Sequence, residues 1–291
     1  TPRVQKFTNF RQMHLAQKVL YKANDDLKFD LGIHYSTTSD YPRYDRISTY
    51  DGDGVLHYAE WNYGPQDWFL ANLQMIKLSS GSSLYDKIKI STAYQSFKES
   101  RINRKFNSDI RKIREENVDA LSLNFDFYKS LSSNSNISYG TEYVFNRVGS
   151  TGYNRNIDTT TSEAIASRYP DDSKWQTLAA YLSHKYKPNS NLTIQSGIRY
   201  NYVTIDADLT PNNTFYNLPF EMANLDTSAL TGTLGFSWNP NTTFIWKLNA
   251  TTAFRAPNID DIGKIFDSQP GLVVVPNSNL KPEYAYGGEL G

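Results

Sequence analysis

The residues best suited to binding a ligand lie in one stretch of the chain, positions 37–67. Six side chains there are candidates: Arg43, Tyr44, Arg46, His57, Trp61 and Tyr63. Guanidinium groups and aromatic rings bind anionic or aromatic ligands through charge-assisted hydrogen bonds and stacking. We therefore predict a ligand contact in this stretch. The alternative is that these side chains only pack against neighbouring loops.

Catalytic chemistry finds no support in the sequence. The chain has no cysteine, which removes thiolate nucleophiles and thiolate metal sites. G-x-S-x-G, P-loop and H-E-x-x-H motifs are also missing from the sequence. Asp260 and Asp261 form a carboxylate pair, which we expect to solvate a loop or bind a cation. We predict a protein that is not an enzyme and that has no cofactor and no resident metal.

The elements that must position these residues are predicted to be strands, because polar and apolar side chains alternate with a period of two. In the clearest runs one face is free of charge, whereas the other carries residues such as Lys28, Asp30, Arg199 and Lys247. Eleven strands are predicted: 15–24, 27–36, 68–79, 85–98, 117–129, 134–146, 175–187, 191–206, 228–239, 243–256 and 280–291.

The connections between these strands alternate between short and long. The short ones are 24–26, 80–84, 130–135, 188–190 and 240–242, and the long ones are 37–67, 99–116, 147–174, 207–227 and 257–279. In an up-and-down sheet this order puts all long loops at one end, as in outer-membrane barrels. An aromatic residue also lies near every short turn, which suits a membrane interface: Tyr21, Tyr85, Tyr128, Tyr186 and Trp238.

Lipid contact restricts the fold further. No run approaches the ~18 apolar residues of a spanning helix, and only helices and closed barrels satisfy their backbone in lipid. The balance of 30 basic and 30 acidic residues gives no general attraction to nucleic acid. We predict an all-β, transmembrane, antiparallel up-and-down barrel. Its eleven strands would be half of the 22 in plugged outer-membrane transporters. A soluble β-sandwich remains the alternative.

Family-specific motifs stand near the end of the chain. Ala253-Phe254-Arg255-Ala256-Pro257-Asn258 is followed by Asn277-Ser278-Asn279-Leu280-Lys281-Pro282-Glu283 and then by Glu289-Leu290-Gly291. This order is similar to that of TonB-dependent outer-membrane receptors, as are the segments 41–46, 61–66 and 167–170. We interpret the motif residues Phe254, Arg255, Pro257, Asn258, Asn277, Leu280, Pro282, Glu283 and Glu289 as mainly structural. Proline would end or restart a strand, and Arg255 would face the lumen, where it could pair with a carboxylate such as Glu289.

The resemblance implies active uptake of a scarce nutrient, most often an iron chelate. It implies an outer-membrane location with the long loops extracellular and the short turns periplasmic. The partners would be membrane lipid, the nutrient, TonB and a plug domain inside the barrel. Residues 1–291 are expected to be a partial barrel domain, because no plug, TonB-engaging segment or closing terminal strand is recognisable in them.

The ligand itself stays open at this point. Haem receptors of the family place a histidine between the two motif boxes, and residues 258–276 contain none, although His57 could act from another loop. Other nutrients, a passive porin or an adhesive barrel, and a soluble β-sandwich binding module are the remaining alternatives.

Overall fold

Alternating polar and apolar residues build one large antiparallel sheet. The computed structural model describes residues 7–269, 272–274, 276–277 and 279–291. The strands are β1 (Gln12–Lys22), β2 (Leu27–Thr38), β3 (Tyr41–Pro42), β4 (Tyr58–Tyr63), β5 (Asp67–Leu78), β6 (Lys87–Lys105), β7 (Ile110–Ser132), β8 (Ser135–Asn156), β9 (Ser162–Ala164), β10 (Ser173–Asn189), β11 (Leu192–Asp206), β12 (Leu225–Trp238), β13 (Trp246–Arg255), β14 (Phe266–Gln269), β15 (Leu272–Val274) and β16 (Glu283–Leu290).

The main path of the sheet contains eleven strands, in the order β1-β2-β5-β6-β7-β8-β10-β11-β12-β13-β16. Each of the eleven predicted strands overlaps one of these, and the antiparallel all-β prediction is confirmed. Three short strands, β3, β4 and β9, extend the sheet at the end where the long loops lie. Within the described part of the chain β1 and β16 are the two ends of the path and do not pair with each other. The total of 22 strands stays a prediction.

The strand register assembles two faces of opposite chemistry, which we call the apolar face and the polar face. Leu31 lies opposite Leu73 on the apolar face, and Asp30 lies opposite Gln74 on the polar face. Cross-strand ion pairs follow the polar face: Lys18–Asp30 at 3.0 Å, Lys89–Asp126 at 3.2 Å and Arg199–Glu142 at 2.6 Å. Because barrel strands turn one face to lipid and one to the lumen, the polar face is the lumenal one.

Tyrosines mark the upper limit of the apolar face, towards the long loops. Each donates its hydroxyl to a polar side chain on the adjacent strand: Tyr35 to Asp67 at 3.3 Å, Tyr94 to Asp119 at 2.8 Å, Tyr143 to Gln176 at 2.8 Å and Tyr202 to Asp226 at 2.8 Å. A tyrosine side chain combines an apolar ring with a hydroxyl that can hydrogen-bond to water, which suits a membrane interface. From this level towards the long loops, the same face also carries charged side chains, such as Asp119 and Arg147.

Two of the predicted long loops prove to be largely strand. β6 continues to Lys105 and β7 already begins at Ile110, so the predicted loop 99–116 shrinks to a short turn. β8 likewise runs to Asn156, ten residues beyond the predicted end at 146. The reason is physical. Above the bilayer both faces meet water, so the alternation of hydrophobicity fades while the backbone ladder continues.

The long loops 207–227 and 257–279 pack together on the polar face. Helix α3 (Ile259–Ile262) contributes Ile259 and Ile262 to a core with Val148 and Ile205, and Leu280 packs against it. A second core joins Ala207, Leu209, Ala223 and Ile265. Two further helices, α1 (Tyr44–Ile47) and α2 (Thr210–Asn213), are single turns. Among the described residues no helix is long and apolar enough to cross a membrane.

Candidate ligand-binding site

The segment between β2 and β5 is built as an extra piece of sheet. β3 pairs with β4, and β4 pairs with the part of β6 that extends above β5. In this register Tyr63 lies opposite Arg101 and Trp61 lies opposite Asn103. Since Arg101 faces the same side as Glu99 and Lys89, Trp61 and Tyr63 point to the polar face of the sheet. The register thus brings residues far apart in sequence onto one wall.

Five side chains form what we call the aromatic–arginine cluster: Tyr41, Arg43, Trp61, Tyr63 and Arg101. The Arg43 guanidinium lies 5.0 Å from the Trp61 ring centroid and 5.4 Å from that of Tyr63. The Arg101 guanidinium lies 5.0 Å from the Tyr63 centroid. The Tyr63 ring packs edge-on against Trp61 at 5.1 Å and contacts Tyr41 at 5.7 Å. Tyr63 is therefore the centre of the cluster.

Hydrogen bonds fix the two arginines of the cluster. Arg43 Nη1 donates to the Tyr63 hydroxyl at 2.9 Å, and Arg43 also pairs with Asp45. The hydrogen bond to Asp45 raises the pKa of Arg43 and lowers the pKa of Asp45. Arg101 Nε donates to Glu99 at 2.9 Å. The cluster is consequently preorganised, since each cation already has one carboxylate partner.

The opposite face of β4 anchors it to the sheet. Glu60 accepts from Arg104 Nε at 3.0 Å and from Arg111 Nε at 2.8 Å. Burial alone would raise the pKa of Glu60, but the hydrogen bonds from the two arginines outweigh it and the pKa is lowered. The carboxylate thus ties β4 to β6 and β7 while the other face of β4 presents Trp61 and Tyr63.

The other three predicted contacts are not part of this cluster. Tyr44 and Arg46 lie in α1 and are exposed, and Arg46 approaches Asp45 at 3.8 Å. His57 Nδ1 lies 2.5 Å from a carboxylate oxygen of Asp51, and its ring meets Tyr58 edge-on at 4.5 Å. The structure therefore brings together Arg43, Trp61 and Tyr63 out of the six.

Sequence reasoning missed Tyr41, Arg101 and Glu99. Tyr41 lies inside the family-like segment 41–46, but nothing in that segment indicates its contact with Tyr63. Arg101 and Glu99 lie in the predicted loop 99–116, where polar residues occupy both faces and the alternation of hydrophobicity gives no signal for a strand. Their meeting with Tyr63 depends on a register that no local pattern in the sequence specifies.

The motif residues near the end of the chain organise the loop core and the last two main strands. Arg255 faces the polar side and pairs with carboxylates, as expected, but these are Asp261 and Glu283 and not Glu289. Arg255 Nη2 binds Asp261 at 2.7 Å and Arg255 Nη1 reaches Glu283 at 3.4 Å. Glu289 lies opposite Asn249 instead. The period of two identifies the correct face but cannot choose between two glutamates that lie six residues apart on it.

The other motif residues also have local structural contacts. Asn258 and Asp261 form a reciprocal capping box at the start of α3, which satisfies two backbone donors. Asp260, the other member of the acidic pair, accepts from the Tyr169 hydroxyl at 2.6 Å. Pro257 is buried, Phe254 packs on Tyr284 at 6.3 Å, and Asn277 accepts from the backbone of Asn279. Leu280 packs on the loop core, Pro282 directly precedes β16, and Ser278 of the motif lies outside the described residues.

The arrangement is suited to binding rather than to bond-making. Aromatic faces and guanidinium donors on one wall fit a ligand that is anionic and rich in oxygen or aromatic groups. Within the ranges that the structure describes, no group of three or more His, Asp or Glu residues is placed to hold a metal ion.

Fold and site together define the class of protein. An antiparallel up-and-down sheet, with an apolar face and a polar face lined by ion pairs, is a section of barrel wall. The chain belongs to the TonB-dependent receptor family: the family model "TonB dependent receptor-like, beta-barrel" matches residues 5–291. This is a family of outer-membrane proteins. Its members are receptors and transporters rather than enzymes.

Solved structures support the same fold. The chain is similar to the copper transporter OprC (TM-score 0.70, 10% identity, 87% of this chain and 38% of that one). It is similar to the hemophore receptor HasR of Serratia marcescens, solved with its hemophore and haem (0.68, 12%, 97% and 42%). It also resembles the siderophore receptor PiuA of Acinetobacter baumannii (0.64, 11%, 97% and 47%). No curated protein sequence matches it. The chain spans less than half the length of these three structures.

Proposed function

We propose that this chain forms part of the wall of an outer-membrane receptor that takes up a ferric chelate, with energy supplied through TonB. The observation that carries the proposal is the aromatic–arginine cluster on the polar face of a TonB-dependent receptor barrel. Siderophore receptors are among its structural neighbours. Ferric chelates commonly present anionic oxygens and aromatic rings, which guanidinium groups and aromatic faces bind.

The orientation follows from the lengths of the connections. Short turns join the strands at one end, and the extended hairpins, the cluster and the loop core lie at the other. Outer-membrane barrels have short periplasmic turns and longer extracellular loops. We therefore place the cluster on the extracellular side, where a nutrient would first be met. The complete receptor would add a plug domain inside the barrel and a segment that engages TonB.

Haem is the second candidate, favoured by the geometry of His57. Its Nδ1 is held by Asp51, an arrangement that fixes the orientation of a ligating imidazole and leaves Nε2 for the metal. One structural neighbour is a haem–hemophore receptor complex. The two candidates differ in which residue matters: Arg101 for an anionic chelate and His57 for haem.

Growth and binding measurements on the full-length receptor test the proposal. A strain that depends on this receptor for iron is grown under iron limitation with ferric catecholates, ferric hydroxamates, ferric citrate or haem, with and without TonB. We expect one ferric chelate to restore growth only when TonB is present. Restoration without TonB, or by none of these compounds, contradicts the proposal.

Matched variants then test the site. Arg101→Gln should weaken chelate binding by ~10-fold or more, because an ionic hydrogen bond contributes ~1.5–3 kcal/mol. Arg46→Gln is the control, since Arg46 is an exposed arginine of α1 that lies outside the cluster. Binding is measured by tryptophan fluorescence, and surface levels are checked for each variant. If haem is the ligand, His57→Ala and not Arg101→Gln should abolish binding.

A further inference from the structure

Three rings form a row on the polar face at the β1 side of the sheet. His14 on β1 lies 6.4 Å from His34 on β2, measured between ring centroids, and His34 lies 4.7 Å from Trp68 on β5. The register explains the row, because His14 pairs with Ser36 and Ser36 with Trp68, while His34 is the diagonal neighbour of both rings. These residues are separate from the aromatic–arginine cluster.

Each of the two imidazoles has a ring nitrogen that can bind a metal ion. His14 Nδ1 is 2.8 Å from the Ser36 hydroxyl. When Nδ1 carries the proton and donates to Ser36, the lone pair of Nε2 is left for another partner. A hydrogen bond at the second nitrogen is the usual way in which a ligating histidine is oriented. Among the described residues no hydrogen bond engages the His34 ring, which is held by ring contacts alone.

The spacing is one that a single metal ion can bridge. A ring centroid lies about 3.2 Å from a metal bound at its nitrogen, from a bond of ~2.0–2.1 Å plus ~1.1 Å from the centroid to the nitrogen. Two such distances add to about 6.4 Å when the ion lies between the two rings, which matches the observed 6.4 Å between the centroids. Two charged side chains of the same face, Lys18 and Asp30, pair with each other at 3.0 Å. The site itself is therefore close to neutral, which suits imidazole ligands for a divalent ion.

We infer that His14 and His34 form a two-histidine site on the lumenal wall for a late first-row transition-metal ion. Imidazole suits copper, nickel and zinc, and Cu²⁺ binds such ligands most strongly. Two protein ligands leave coordination positions open to water or to a chelating molecule. Ser36 orients His14, and Trp68 stands beside the site as a spectroscopic reporter. The inference does not depend on the identity of the nutrient.

Copper titration of the full-length receptor, purified in detergent and stripped with a chelator, tests the inference. We expect one Cu²⁺ per receptor with two imidazole nitrogens in the electron paramagnetic resonance spectrum, and quenching of Trp68 fluorescence at the same stoichiometry. His14→Ala and His34→Ala should each remove one nitrogen, and the double variant should remove the site. Trp68→Phe should abolish the quenching and keep the copper spectrum.

The two remaining histidines provide controls. His57→Ala and His184→Ala should leave the two-nitrogen copper spectrum unchanged, because the rings packed against these histidines are Tyr58 and Tyr186 rather than a second imidazole. Ser36→Ala should weaken copper binding by ~10-fold, as expected for loss of a hydrogen bond that orients a ligand. Heat-dependent mobility on gels confirms that each variant is folded. Retention of the two-nitrogen spectrum in the folded double variant overturns the inference, as does its loss in either control.

Discussion

A single arginine placed on either face of β12 tests the assignment of faces. Leu234 lies on the apolar face, and Thr233, its neighbour, lies on the polar face opposite Gly197 and Thr251. Leu234 is four residues from the short-turn end of β12 at Trp238. A membrane-crossing strand has ~9–11 residues, so both positions lie near the middle of the bilayer.

The expected cost differs sharply between the two positions. An arginine on the lipid face costs ~2–4 kcal/mol at the midplane, which corresponds to a roughly 30- to 700-fold shift towards the unfolded state. Leu234→Arg should therefore destabilise the barrel by this amount. Thr233 borders a hollow of about 430 Å³ on the polar face, so Thr233→Arg has room and water and should change stability by less than ~1 kcal/mol.

The assay is reversible unfolding of the full-length receptor in phospholipid vesicles by guanidinium chloride. The folded fraction is followed by heat-dependent mobility on gels and by tryptophan fluorescence. Equal destabilisation by both substitutions, or a larger effect of Thr233→Arg, would refute the assignment of faces. Such a result would also remove the basis for placing the aromatic–arginine cluster and the two histidines on the lumenal side.

Two further predictions concern the loop core. Ile262 is 1% exposed, so Ile262→Ala should destabilise the loop core by ~2–5 kcal/mol and speed proteolytic cleavage near α3. Ile157 is exposed, and Ile157→Ala should leave the cleavage rate unchanged. Equal cleavage rates in the two variants would contradict the packing. Burial, helped by the hydrogen bond to Asp260, raises the pKa of Tyr169 to about 12. Its stabilising contribution is therefore complete below pH ~10, the pKa of an unfolded tyrosine, and is lost as pH rises towards 12. The ultraviolet titration difference between wild type and Tyr169→Phe should have its midpoint near 12, and a midpoint near the unperturbed value would exclude the contact.

The strands were predictable because lipid imposes a strict pattern on them. A residue facing hydrocarbon cannot be charged without cost, so period two survives wherever the sheet crosses the membrane. The same argument fails above the bilayer. Residues 99–105 and 110–116 continue the ladder with charges on both faces, and the sequence there looks like a loop. The strands therefore continue in this region although the alternation of hydrophobicity does not.

The sequence predicts which residue types form the site, but it does not predict which residues contact one another. Arg43, Trp61 and Tyr63 have chemistry that stands out in any context, and three of the six candidates do meet. Arg101 joins them only because β4 pairs with β6 in one register, and a two-residue shift would present a different side chain on the same face. The sequence could not single out the carboxylate partners of Arg255 for the same reason, since Glu283 and Glu289 share a face and only the pairing distinguishes them.

The long-loop end of the sheet is divided into two parts with different physical properties. Around α3 the loops bury Ile205, Leu209, Ile262 and Ile265 almost completely, which fixes their shape. Around β4 the wall keeps half-buried rings and cations whose hydrogen-bonding capacity is only partly used. A polar ligand gains binding energy where donors are already oriented and still accessible, and it gains little from a dry core. The contrast therefore favours β4 and the extended part of β6, rather than the loop core, as the place where the proposed ligand binds first.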